Sequence, residues 1–243
     1  MKQISIAGID DKREMTSVLA VTASGVPLPP QLLYQGKTDM CHPDVNFPAD
    51  WDIHHSANHW SNGDTMPRYL DKVIIPYVEK ERQRIGKPEQ AALCIFDVFR
   101  PHQDKVLLDK LKSNNINYVF VPAGCTGELQ PLDITVNKFY KDTLKRQFEH
   151  WYSSQVEEEM KSGVDVATVK VDLRLGTVKP IHAGWLMKAH QELYQQKSLI
   201  KSGFEKAGII AKISDDDTST TSTPLPLPDI VDLVASSDDD AQQ

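Results

Sequence analysis

Two stretches, Ala91-Ala-Leu-Cys-Ile-Phe96 followed by Asp97, and Ile116-Asn-Tyr-Val-Phe-Val121 followed by Pro122, decide the fold. The first is short, continuous and wholly apolar, the pattern of a strand buried on both faces. The second is rich in β-branched and aromatic residues and is stopped by its proline. Between them, Asp104–Ser113 reads as a short helix that ends at Asn114-Asn115. Strand, helix and strand within about 30 residues make a βαβ unit. Its two strands should run parallel, joined by a right-handed crossover. Ligand-handling residues of such units gather at the carboxyl ends of the strands. Asp97 stands directly after the first strand. The loop Pro122–Pro131 follows the second and leads into a long helix beginning near Asp133.

Working outward, the α/β pattern continues. Gln3–Ala7 alternates as a short strand. Thr16–Ala23 and Leu28–Gln35, separated by Ser24-Gly25, read as a hairpin, with the Pro29-Pro30 pair on an edge or at a strand start. Residues 38–62 are irregular and rich in His, Asp, Asn and Pro. Asp64 reads as an N-cap with Pro67 in the first turn of a helix. Met66, Leu70, Val73, Ile74 and Tyr77 mark its apolar face, Pro76 should kink it, and Gly86 closes it. Val136, Tyr140, Leu144, Phe148 and Trp151 recur at helical spacing on the long helix and fit a core face. Residues 181–207 read as an amphipathic helix (Trp185, Leu186, Ala189, Leu193) with a further piece, Leu199–Lys206, packed against the core.

The 243 residues are 40% hydrophobic and 25% charged, which excludes a wholly disordered chain. No apolar run approaches the roughly 18 residues of a membrane span. The first residues, Met1-Lys-Gln-Ile-Ser-Ile6, carry no signal-peptide pattern. Three scattered cysteines, Cys41, Cys94 and Cys125, argue for a reducing compartment and against a disulfide framework. The net charge of −7 is a property of the tail: residues 214–243 hold eight Asp and no Lys, Arg or Glu. The other 213 residues carry 27 basic and 26 acidic groups, so the overall charge says little about a partner. The expected organisation is a core over residues 1–152, a helical extension of the same domain over 153–213, and a disordered acidic Ser/Thr/Pro tail over 214–243. The piece Ile230-Val-Asp-Leu-Val234 in that tail could dock a protein partner.

Asp97 and Asp133 flank the same end of the βαβ unit. Two carboxylates so placed can converge on hard cations such as magnesium or manganese, which prefer oxygen ligands. The bland alternative is that each caps or turns its own element. Lys138, Lys141 and Lys145 recur at +3 and +4 on the long helix, away from its apolar stripe, and could meet phosphates there; Arg100 is a further candidate. An ordinary solvated face is the competing reading, since Glu157-Glu158-Glu159 follows on the same helix. The spacing of Cys41-His42, His54-His55 and His59 matches no compact zinc template. His55 and His59 would share a face only in a helix, so a loop beside the core is the expectation. Cys125 in Gly-Cys-Thr-Gly has no base that the sequence supplies.

Several segments together resemble a known family. Asp97-Val-Phe-Arg-Pro-His-Gln, and Val121-Pro-Ala-Gly-Cys-Thr-Gly-Glu-Leu-Gln-Pro-Leu-Asp133-Ile-Thr-Val-Asn-Lys, resemble the DDE superfamily of transposase endonucleases, closest to the pogo/Tigger/jerky group. Gly8-Ile-Asp-Asp-Lys-Arg, Leu28-Pro-Pro-Gln-Leu-Leu-Tyr-Gln-Gly-Lys-Thr, Asn58-His-Trp-Ser-Asn, Lys179-Pro-Ile-His-Ala-Gly-Trp-Leu and Gly203-Phe-Glu-Lys-Ala-Gly-Ile extend the likeness over roughly 3–211. It implies an α/β, RNase H-like mixed sheet flanked by helices, with a helical C-terminal extension. It also implies a nuclear protein that binds DNA and uses magnesium or manganese to hydrolyse or transfer phosphodiesters. Of the family's three acids, the second maps onto Asp97 and the third onto Asp133. The first belongs on a strand upstream of Gly8, outside this sequence, so the core is expected to be incomplete at its amino end and enzymatic competence is left open. Topology permits Asp10 as a substitute, whereas the resemblance puts Asp10 and Asp11 in a turn past the first acid. A catalytically inactive, transposase-derived nucleic-acid-binding or protein-interaction module is the alternative, and a zinc hydrolase built on the His-rich loop is a third class.

Overall fold

The first described strand, β1 (Met15–Val18), pairs antiparallel with β2 (Gln31–Gln35), Met15 opposite Tyr34 and Val18 opposite Gln31. The computed structural model describes residues 15–210. The expected strand Gln3–Ala7, Asp10, Asp11 and the acidic tail 214–243 lie outside the described residues. The Pro29-Pro30 pair directly precedes β2, where no ladder N–H is lost. β3 (Asp52–Ser56) adds to the other side of β2 in parallel, so β2 is central with four of its five residues buried. A parallel neighbour needs a long return connection, and the irregular residues between Gln35 and Asp52, with a 3-10 turn at Asp39–Cys41, supply it.

The expected βαβ unit is present. β4 (Ala92–Phe96) pairs in parallel with β5 (Ile116–Phe120) through α3 (Lys105–Ser113), and Asp104 caps α3 by accepting from Val106 N. Asn115 turns the chain with φ 52°. One expectation fails: β4 is not buried on both faces, for Leu93 and Val119 are exposed. Among the described residues only one face of this pair is covered, where Ile116, Cys94, Phe96 and Tyr118 pack with Leu107 and Leu111 of α3. Among the described residues the strands form two sheets, β1-β2-β3 and β4-β5, instead of one mixed sheet. The outer edges of β1 and β4 have no strand neighbour there.

The first helical segment runs as α1 (Thr65–Tyr69), a π stretch Leu70–Ile74, and α2 (Ile75–Arg84). The π register ends where Pro76, which has no N–H to give, enters. Asp64 does not cap this helix with its side chain. Asn62 Oδ1 does so instead, accepting from Asp64 N and Thr65 N, because a turn starting two residues earlier brings its amide over the free N–H groups. Gly86, at φ 67°, closes the helix as expected.

After the short α4 (Thr126–Leu129), a π turn Leu132–Val136 runs into α5 (Asn137–Lys161). The amphipathic region resolves into α6 (Leu175–Tyr194) and α7 (Lys197–Lys206). Val136 and Tyr140 pack with Leu186, Ala189, Leu193, Ile200 and Phe204 against Leu32, Tyr34 and Trp51. The helical extension is thus built into the core. A second buried cluster lies between α1–α2, α3 and β5. No helix among the described residues is long and apolar enough to cross a membrane.

Candidate functional site

Asp97 follows the last residue of β4, so the strand carries its carboxylate to the carboxyl end of the βαβ unit. The chain then enters a 3-10 turn, Arg100–Gln103, with Pro101 at its start. That turn returns His102 to the strand end, where its ring packs on Phe96 and Phe99. His102 Nδ1 lies 2.5 Å from Asp97 Oδ1, and Phe99 N donates to the same oxygen at 3.3 Å. The His102 contact, outweighing the opposing effect of partial burial, holds the Asp97 carboxyl below the ordinary aspartate range.

Asp133 is exposed on the π turn before α5 and makes no helix cap. Its Oδ1 accepts from Asn137 Nδ2 at 2.6 Å, one helical turn on. The turn is backed by α7. Gly203 approaches it so closely that an added methyl would stand 2.7 Å from Thr135 Oγ1 and 2.8 Å from Pro131 O.

The partners of the two acids, His102 and Asn137, line one cleft of about 900 Å³. β1 forms one wall. Tyr140, Lys141, Lys145 and Phe148 of α5 and Lys179, His182 and Trp185 of α6 form others, with His59 and Trp60 from the loop after β3. Among the described residues no Asp or Glu contributes to this lining, and its charged side chains there are lysines. Tyr34 Oη and His59 Nδ1, in the same lining, are buried without a hydrogen-bond partner among the described residues.

Of the lysines singled out in sequence, Lys141 and Lys145 line the cleft and Lys138 does not. Lys145 also pairs with Glu149 at 3.8 Å. Arg100 is exposed on its 3-10 turn, outside the lining. His102, Asn137, Lys179 and His182 join the cleft through the tertiary structure. A signal was available for two of them: His102 lies inside the Asp97 motif, and Asn137 stands four residues after Asp133 on a helix. The His-rich loop is not helical. His55 is on β3 and His59 takes φ 56° in the following turn. His54 and His59 fall outside any cation-binding group among the described residues, whereas Cys41, His42 and His55 come together. Cys125 precedes α4 as a partly buried free thiol, and Cys94, on β4, has its thiol pushed up to about 11 by burial.

A family model described as DDE superfamily endonuclease matches residues 12–204. The chain belongs to the DDE superfamily of endonucleases. This DDE domain is 26% identical over 211 residues to the human pogo transposable element with KRAB domain, a match covering 85% of this chain and 31% of that protein. It is 30% identical over 142 residues to the mouse protein of the same description, covering 58% and 22%. The human pogo transposable element with ZNF domain is 24% identical over 131 residues, covering 54% and 9%. These relatives make it a pogo-like, transposase-derived DDE domain that spans less than a third of their length. No solved structure matches it.

Proposed function

We propose that this chain is a DNA-binding DDE endonuclease domain, nuclear in location, in which Asp97 and Asp133 ligate magnesium or manganese. The observation that carries the reading is the shared cleft: His102, bonded to Asp97, and Asn137, bonded to Asp133, line it together with Lys141, Lys145 and Lys179. Two carboxylates are oxygen donors suited to a hard cation, and Asp97 is held in the ionised form a ligand needs. Such an ion supplies Lewis acidity and charge stabilisation at a phosphodiester. The lysines meet phosphates, and Trp60, Phe148 and Trp185 offer faces on which bases stack.

The domain reading is an RNase H-like core over 1–152 with its extension over 153–213. A module that binds nucleic acid without cutting it, or that binds protein through the acidic tail, is the second reading. The side chain held on each acid favours it.

Calorimetric titration of the full chain with manganese, beside Asp97→Ala and Asp133→Ala, tests the metal site. Binding lost in both variants supports it, and a folded wild type that binds no manganese removes it. Metal-dependent nicking of supercoiled DNA that Asp97→Ala abolishes would separate the first reading from the second.

A further inference from the structure

A second ligand set, which shares no residue with the two aspartates or their partners, lies at the end of the β2–β3 pair. β2 and β3 are parallel with Tyr34 opposite His55, so His55 stands beside the point where the chain leaves β2. The chain turns at Gly36 and closes a 3-10 turn in which Cys41 N donates to Thr38 O and His42 N to Asp39 O. That return is tight. A Cβ at position 36 would lie 2.5 Å from Cys41 Cβ and 2.6 Å from its Sγ. Glycine therefore permits the approach of the cysteine to the sheet end.

The result is a cluster of three donors from two distant pieces of chain. The ligand atoms of Cys41, His42 and His55 all lie within 4.8 Å of one another, and all three residues are partly buried. His42 Nε2 stands 3.3 Å from His55 Nδ1. Asp39 Oδ1 stands 3.4 Å from the same His55 nitrogen. Zinc bonds of about 2.0–2.3 Å in a tetrahedron put ligand atoms roughly 3.3–3.8 Å apart. The His42–His55 and Asp39–His55 separations are already near this length, the widest pair within the Cys41, His42 and His55 set needs to close by about 1 Å, and the exposed Asp39 carboxylate has to swing in to complete the tetrahedron. One thiolate and two imidazoles select a borderline-soft ion over magnesium or manganese.

We propose that Cys41, His42 and His55 bind zinc, with the Asp39 carboxylate as fourth ligand. The ion ties the turn after β2 to β3 and pins the long connection that lets these strands run parallel. It also bears on the cleft. Lys179 of α6 donates to Cys41 O at 3.1 Å and lies over the Tyr34 ring at 5.8 Å, and both Lys179 and Tyr34 line the cleft. The site is a structural one that holds α6 against the sheet.

The test uses the full chain, stripped with a chelator and titrated with cobalt(II). One equivalent is expected to give visible bands of a four-coordinate ion and a near-ultraviolet sulfur-to-cobalt charge-transfer band, both quenched by one equivalent of zinc. Cys41→Ser is expected to lose the charge-transfer band. His55→Asn, which keeps a polar side chain on β3, is expected to weaken zinc binding by more than the 10- to 100-fold that loss of an outer-shell partner costs. Asp97→Ala and Asp133→Ala are expected to leave the cobalt spectrum unchanged, so failure of the aspartate site and failure of this one read separately. A wild type that is folded by circular dichroism but gives no charge-transfer band overturns the proposal. So does a band that persists in Cys41→Ser, which would place the ion on Cys94 or Cys125.

Discussion

His102 Nδ1 stands 2.5 Å from Asp97 Oδ1, delivered there by a 3-10 turn that begins three residues after the acid. The contact joins a strand end to the cleft wall, for His102 lines the cleft. His102→Ala removes what holds the Asp97 carboxyl down. Carbon-13 NMR titration of the metal-free protein should show that carboxyl moving up toward the usual value of about 3.9. The pair is partly solvated, so the loss of stability should be only about 1 kcal/mol by denaturant unfolding. An unchanged Asp97 titration would show that the backbone amides of Phe99 and Asp97 hold its carboxyl down instead.

Gly203 sets the position of Asp133 from behind. A methyl at 203 collides with backbone at Pro131 and with the Thr135 hydroxyl, neither of which can swing away as a long side chain would. Gly203→Ala should cost about 1–3 kcal/mol. It should also weaken manganese binding, because the turn that carries Asp133 has to shift. Equal stability in thermal melts would refute the close approach.

Asp52 is fully buried at the start of β3, yet it is charged by type. Gln31 Nε2 donates to its Oδ2 at 2.7 Å, Arg68 Nε to its Oδ1 at 2.9 Å, and Lys72 Nζ lies 3.6 Å away. This network fastens α1 and the following π stretch to the central strand. Asp52→Ala should cost about 3 kcal/mol, since the Arg68 guanidinium loses its acceptor and the buried Gln31 amide keeps only Thr65 O. Chemical denaturation with an unchanged m-value is the check.

His190 makes stability depend on pH. It sits against Trp51, and its Nε2 is 3.0 Å from Leu28 O. Burial lowers its titration below that of a free imidazole. Unfolded, it titrates near about 6.5. Between the folded value and that one the unfolded chain binds more protons, so stability falls as pH drops through the window and is fully present above it. His42 and His54, also lowered chiefly by burial, act in the same direction. Thermal melts from pH 8 to 5 should show a loss that His190→Gln, still able to donate to Leu28, reduces. A profile identical in the variant would remove His190 from this account.

Lys141 and Lys145 line the cleft and Lys138 does not, although all three stand on α5. If phosphates occupy the cleft, Lys141→Ala and Lys145→Ala should each lower the log–log salt slope of DNA binding by about 1. Lys138→Ala should change it less. Equal effects of all three would point to an undirected basic surface.

The βαβ unit, the acid at its strand end, the α5 stripe and the family likeness were all legible in order along the chain, because local periodicity and motif spacing carry them. The tertiary structure alone decided that β4 is covered on one face, since no sequence pattern says how many layers will pack on a strand. Asp52 was equally silent, for its worth depends on Gln31 and Arg68 arriving from other elements. The same reason explains the metal ligands. Cys41-His42 and His55 are thirteen or more residues apart in an irregular region, and only the parallel register of β2 with β3 and the tight turn at Gly36 bring their donor atoms together. Sequence determined which chemistry the residues can do; the strand register determined which of them can do it together.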